Sequence, residues 1–249
     1  MRTRLVTAAI VLLLAGCTAT EPAPTPTVVA TEMTTGDHAM DAAGLRTAGA
    51  ALTSGDLTLS YTVMSGTSTL FPTEDDDGAV TMQLDPSVPG DTILLAPPEG
   101  DTAEALSDGG VLIRDAAGAA VGGITSTGLD VTVESDGLIA YQPVTAPTTA
   151  TLTLATVAVR SAEWRDIDDE GGRSLAVVPS TWARGGGLAV DALLWAQLVT
   201  VQPEADSQTM HDQLTCHQVG APDKESWNLE PWRPDVGLVQ TMLARCNPE

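Results

Sequence analysis

The sequence predicts a mainly β protein, a sandwich or small barrel of antiparallel strands, followed by a C-terminal α+β module of two or three short helices clasped by a disulfide. Three observations carry that prediction. Between about Leu45 and Arg160, apolar and polar residues alternate with a period of two, in short runs cut by glycine-containing turns. Tryptophan is absent until Trp164, which marks a change of composition near Arg160. Cys216 and Cys246, the only cysteines beyond the N-terminal segment, each lie in a stretch of helical periodicity. The expected organisation is a leader over 1–16, a tether over 17–44, a β domain over 45–160 and the α+β module over 161–249.

The leader reads as a lipoprotein signal peptide. Arg2 and Arg4 precede the apolar run Leu5 to Leu14, and Leu14-Ala15-Gly16-Cys17 has the form of a lipobox, where cleavage exposes a cysteine for diacylation. That run is too short for a permanent membrane-spanning helix. Cys17 is therefore the expected lipidation site, the membrane a partner through that lipid, and the extracytoplasmic face of the cell membrane the location. From Thr18 to about Met40 the chain is rich in Thr, Pro, Ala and Glu, buries too little to fold and reads as a tether; His38 near its end has no partner pattern.

Charge excludes some partners. With 33 acidic against 11 basic residues the net charge is −22, and losing Arg2 and Arg4 with the leader takes it to −24. So acidic a chain has no electrostatic basis for binding nucleic acid or bare anionic lipid. The acidity serves solubility, with calcium capture as the alternative. Glu74 to Gly78 and Asp166 to Gly171 superficially resemble calcium loops but lack the EF-hand spacing, and both read first as solvated hairpin turns.

Within the β domain, Leu57 to Val63, Val80 to Leu84 and Leu129 to Val133 alternate as strands. Turns at Asp77-Gly78, Pro89-Gly90, Gly109-Gly110, Ala117-Gly118 and Asp136-Gly137 separate the runs. Gly110 to Ile124 and Leu129 to Pro143 read as hairpins, and Thr149 to Arg160 as one long strand. The domain's aromatics are Tyr61, Phe71 and Tyr141, so its core must rest on aliphatic side chains, and ready anchors for sugars or peptides are few.

In the module, Ala162 to Arg165 should pair with Ser174 to Val178. Leu188 to Val199 should form a buried helix on the preceding sheet, with Trp195 in the core. Gly185-Gly186-Gly187 lacks the lysine of a phosphate loop, and no cofactor is expected. Thr209 with Asp212 reads as a capping box opening a helix that carries Met210, Leu214 and His217 along one side. Pro234 and Asp235 should open a second helix, whose Val236, Val239, Met242, Leu243 and Cys246 follow the spacing of a buried face. In an oxidising compartment Cys216 and Cys246 should pair, a link of roughly 3–4 kcal/mol in the chain-entropy model.

Between the cysteines runs Trp227-Asn228-Leu229-Glu230-Pro231-Trp232-Arg233-Pro234. Each proline biases Glu230 and Arg233 away from the α region, so the segment should be extended, with Trp232 and Glu230 on one side and Leu229 and Arg233 on the other. On one reading the tryptophans fill a small core while Glu230 and Arg233 bond loop backbone. On the other, the rigid Trp, Arg and Glu side chains line a contact surface.

The run Cys216-His217, Lys224, Trp227 to Gly237 and Arg245-Cys246-Asn247-Pro248 resembles domain of unknown function 2599, a family seen at the C-terminal end of actinobacterial exported proteins and lipoproteins. Matching positions also include Met210, Asp212 and Gln213, and the likeness extends from about Leu193 to Glu249, reaching back toward Ser161. It implies an extracytoplasmic actinobacterial origin and brings no activity, substrate or catalytic residue with it.

For chemistry, the best collection is His211, Asp212, His217, Glu225 and Glu230. His211 and His217 are six positions apart, roughly 120° around a helix, and lack the i, i+4 spacing of a metal pair, so no metal site is expected. No G-x-S-x-G elbow is present, and nothing activates Ser180, Ser207 or Ser226. Glu225 and Glu230 could act as a glycosidase pair only at a separation the sequence does not give. The expected function is a non-enzymatic module binding an envelope component or protein partner through Trp227, Glu230, Trp232, Arg233 and His217. The alternative is a hydrolase of cell-wall or extracellular polymer using His217 and Glu230. A histidine sealed beneath tryptophan favours the first, and His217 with Glu230 on the floor of an open groove the second.

Overall fold

The computed structural model describes residues 40–64, 70, 72–84, 91–144, 149–167 and 172–249. The leader, Cys17, His38 and most of the tether lie outside the described residues, as do Phe71, the Pro89-Gly90 turn and the acidic turn centred on Asp168 to Gly171.

The described chain begins with α1 (Ala42–Ala48), β1 (Ala50–Ser54), β2 (Leu57–Met64), β3 (Thr73–Glu74), β4 (Val80–Leu84) and β5 (Thr92–Ala96). It continues through β6 (Thr102–Ala105), β7 (Val111–Arg114), β8 (Ala120–Thr127), β9 (Leu129–Val133), β10 (Ile139–Pro143) and β11 (Ala150–Ala155). The C-terminal part comprises β12 (Val159–Ile167), β13 (Gly172–Pro179), α2 (Leu188–Val201), α3 (Gln208–Gly220), β14 (Trp227–Leu229) and α4 (Leu238–Leu243).

Two antiparallel sheets, ordered β1-β2-β5-β10-β9 and β3-β4-β11-β8-β7-β6, face each other as an open sandwich rather than a closed barrel. Alternation places every second side chain inward, so Leu59, Ile93, Leu95, Ile139 and Tyr141 of one sheet meet Met82, Leu84, Ile113, Ile124, Leu152 and Leu154 of the other. Both expected hairpins form, as β7–β8 and β9–β10. Gly122 and Gly123 let β8 be approached from both faces. A Cβ on Gly122 would meet Leu57, and one on Gly123 would lie 2.7 Å from the Trp182 ring.

Each outer face is covered. On the first sheet α1 lays Ala42 and Leu45 over Leu94, Ala96, Leu138 and Ala140. This helix starts within the stretch read as tether, because one turn with two buried residues leaves almost no periodic signal. Over the second sheet, Leu112, Ala155 and Ala158 join a core with Val190, Leu193, Leu194 and Leu198 of α2 and with Leu175, Val177, Met210, Leu214 and Trp227. The helix expected over Leu188 to Val199 is present. Trp195, expected in the core, is only half-buried at its margin, where its ring stacks on His211 at 4.5 Å.

One expectation fails usefully. Thr149 to Arg160 is not a single strand: the chain breaks at Thr156 to Ala158 and passes from the second sheet to a third, β12-β13-β14. Gln197 of α2 satisfies the break, its Oε1 accepting from the amides of Ala158 (2.8 Å) and Val159 (3.1 Å) and its Nε2 donating to the Thr156 carbonyl (2.6 Å). The expected β12–β13 pair forms, with Ala162 opposite Val177 and Arg165 opposite Ser174.

Two aspartates of the sandwich loops reach into the C-terminal part. Asp108 accepts the Leu188 amide at 2.7 Å and so caps α2, whose preceding residue is Gly187. Asp77, in a turn expected to be solvated, pairs with Arg160 and accepts the Thr181 amide at 2.8 Å. Burial pushes its carboxyl up, but the bonds from Arg160 and Thr181 outweigh that and hold it below the usual carboxylate range.

Candidate functional site

The module is assembled around α3. Its N-cap is Ser207, whose Oγ accepts from the Met210 amide, not Thr209; Ser207 is the residue with extended backbone immediately before the helix, which the cap geometry requires. Met210, Gln213, Leu214, Cys216 and His217 then face inward.

Against them lies β14, which pairs with β13 through Val177 opposite Trp227 and Leu175 opposite Leu229. Trp227 is fully buried and donates its indole N–H to the Ala221 carbonyl at 3.0 Å. The strand ends where Pro231 removes the next ladder donor. Gln213 takes over as a side-chain imitation of a peptide unit. Its Nε2 donates to the Glu230 carbonyl (3.0 Å) and its Oε1 accepts from the Glu230 amide (2.9 Å).

His217 lies 4% exposed and donates from Nε2 to the Asn228 carbonyl at 3.1 Å. That bond fixes the neutral tautomer, with Nδ1 as acceptor, and burial pulls the imidazole below its ordinary pKa against the opposing effect of Asn228. Glu230, also buried, is engaged by the Arg233 Nε at 2.6 Å. Arg233 further reaches the Pro248 carbonyl and lies 4.3 Å above the Trp232 ring.

The predicted sidedness of this segment is therefore incorrect. The chain turns at Glu230 to Arg233, with the Arg233 amide bonding the Glu230 carbonyl, so those two side chains meet and the Arg233 guanidinium also covers the Trp232 ring. Trp232 packs one face on Gly172, where any Cβ would collide with it, and remains 41% exposed.

Cys216 and Cys246 form the expected cystine, with Cα atoms 5.5 Å apart, joining the side of α3 to the turn beyond α4. The second helix differs from expectation. It starts at Leu238 rather than Pro234 and buries Thr241, while Val239 and Leu243 are 69% and 73% exposed and Val236 and Met242 also face outward. A six-residue helix held by a cystine at its end needs no apolar stripe to dock, so periodicity alone misassigned the face.

The other candidates disperse. His211 is drawn to α2, where Asp191 accepts from its Nε2 at 3.2 Å and from Thr215 Oγ1 at 3.0 Å. Asp212 accepts from Gln208, and Glu225 is exposed, offering its carbonyl to Arg184. Arg184 also bonds the Pro222 and Lys224 carbonyls, pinning the 222–225 loop. Neither Arg184 nor Asp191 was signalled by spacing, since their partners lie 20 or more positions away. Among the described residues no group of three His, Cys, Asp or Glu side chains is arranged to hold a metal ion, and no helix is long and apolar enough to cross a membrane.

The two histidines give a pH test. The Asp191 bond raises the His211 pKa against the opposing effect of burial, so its stabilisation is fully present below pH 6.5 and fades as the pH rises through the raised value. His217 has the opposite sign: its lowered pKa costs stability as the pH falls below 6.5. Urea midpoints of the wild type and His211→Gln should therefore differ most near pH 5.5–6 and converge above about pH 8. A constant difference across that range would refute the linkage.

Fold and clasp together define an open antiparallel sandwich carrying a cystine-clasped α+β module. Residues 159–249, the module, match the model of a family described as protein of unknown function (DUF2599). Uncharacterized proteins of Mycobacterium tuberculosis and Mycobacterium bovis are each 41% identical over 83 residues, covering 30% of this chain and 56% of theirs. One from Mycobacterium leprae is 41% identical over 58 residues, covering 22% and 47%. The chain thus spans about half the length of the curated relatives it matches. No solved structure matches it.

Proposed function

We propose that the protein is a lipoprotein anchored through Cys17 at the extracytoplasmic face of the cell membrane, and that its C-terminal module is a non-enzymatic binding element for an envelope component or partner protein. One observation carries the binding reading. The polar groups that chemistry would need are spent inside the clasp, His217 on Asn228 and Glu230 on Arg233, whereas Trp232 and the apolar side chains of Val236, Val239, Met242 and Leu243 face outward. Large apolar groups gathered in one exposed segment are the usual material of a contact surface. Trp227, His217, Glu230 and Arg233 then support the surface from beneath, and Trp232 is the contact residue. Hydrolysis by His217 and Glu230 is the less favoured reading, because both side chains are buried and separately engaged.

Anchoring is supported by the basic residues, apolar run and LAGC of the leader. Two measurements test the proposal. Metabolic labelling with palmitate should mark the wild type and not Cys17→Ser. Envelope material depleted by the immobilised wild-type chain should be retained at least about tenfold less by Trp232→Ala/Leu243→Asp. Equal retention by both proteins rejects the docking surface.

A further inference from the structure

We infer that the cavity beside the cystine is a binding site for the C-terminal residue of a peptide, recognised through its carboxylate and a small apolar side chain. The cavity encloses about 400 Å³ between α3 and the turn after α4, within the range of small-ligand sites. Its walls include both half-cystines, Met242 and Val219, an apolar lining suited to an aliphatic side chain.

The charged groups on the same walls are Lys224 and Arg245. In a chain of net charge −22, Lys224 is the single lysine. Arg46, Arg114, Arg160, Arg173, Arg184 and Arg233 each bond a carboxylate or a carbonyl. The side chains of Lys224 and Arg245 form no ion pair or hydrogen bond among the described residues, which leaves both cations to a ligand carboxylate.

His217 forms part of the cavity wall, its Nε2–H committed to Asn228. The backbone supplies a third feature. Arg245 and Cys246, both on the cavity wall, hold φ values of 55° and 70°, a left-handed conformation that L residues other than glycine resist. Closure of the cystine and the bond from the Cys246 amide to the Thr241 carbonyl hold them there, fixing Arg245 at the rim before any ligand arrives.

A carboxylate and an aliphatic group occur together at a peptide C-terminus, whereas free phosphate carries no apolar arm. Met242 is common to these walls and to the docking surface proposed above, but Trp232 is not, so Trp232→Ala tells the two apart. The test is an NMR titration of the full ¹⁵N-labelled chain with N-acetyl-leucine and with N-acetyl-leucine amide. Saturable shifts are expected at Val219, Gly220, Ala221, Lys224, Arg245 and Cys246, with a millimolar Kd, and binding of the amide at least about tenfold weaker. Lys224→Ala/Arg245→Ala, at two exposed positions, should keep the rest of the spectrum and weaken N-acetyl-leucine binding by a similar factor, and Trp232→Ala should leave it unaltered. Equal binding of acid and amide, undiminished binding by the double variant, or the absence of saturable shifts at these residues would overturn the site.

Discussion

Replacing Cys216 and Cys246 together by serine should lower the unfolding free energy by roughly 3–4 kcal/mol. The cystine closes a 30-residue span of sequence, and its removal restores that loop's freedom to the unfolded chain. Native contacts do little to compensate. A helix as short as α4 does not persist alone in water, and among the apolar side chains expected to dock it Val239 and Leu243 are mostly exposed. Left-handed Arg245 and Cys246 would also relax once the bond is cut. The loss should read as a lower urea midpoint for the double variant, matched by wild type in reductant, with amide exchange accelerated first from Leu238 onward. An unchanged midpoint would mean that the clasp stands without its cystine.

Gln213→Leu should cost about 2–4 kcal/mol, although it exchanges one helix-forming side chain for another of similar size. Gln213 is fully buried, and both ends of its amide serve the Glu230 backbone where β14 stops. Leucine would leave the buried Glu230 N–H with no partner and its carbonyl with only the Arg233 amide, the costly case in which one side of a hydrogen bond is deleted and the other is not. Displacing Glu230 would in turn loosen Arg233, which holds both that carboxylate and the Pro248 carbonyl. Denaturant titration of the variant measures the cost; a loss below about 1 kcal/mol would show that Glu230 finds other partners.

These two sites also show where sequence reasoning works. The cystine was legible because only two cysteines remain once Cys17 is assigned to a lipid, and alternation identified strands such as β2, β4 and β9 almost to the residue. Gln213 belonged to the set of positions carrying the family resemblance, yet nothing in its spacing disclosed its task. The same holds for Gln197, Asp108, Asp77 and Arg184, each serving backbone groups from 30 to more than 100 positions away. The break in the strand across Thr156 to Ala158 and the outward face of α4 have one origin: apolar spacing signals burial only where no other constraint, such as a glutamine or a cystine, sets the geometry.

By itself the sequence determined where strands such as β2, β4 and β9 and the helix α2 lie and that the two late cysteines would find each other, because local periodicity, turn chemistry and elimination need no knowledge of neighbours. Only the tertiary structure decided which polar groups are consumed, His217 and Glu230 inside and Trp232 outside, and which cations are left unpaired beside the cystine. The reason is physical: periodicity records which side of an element is apolar, whereas the partner of a buried polar atom is chosen when distant segments close upon it, and that choice leaves no mark within any one window of the chain.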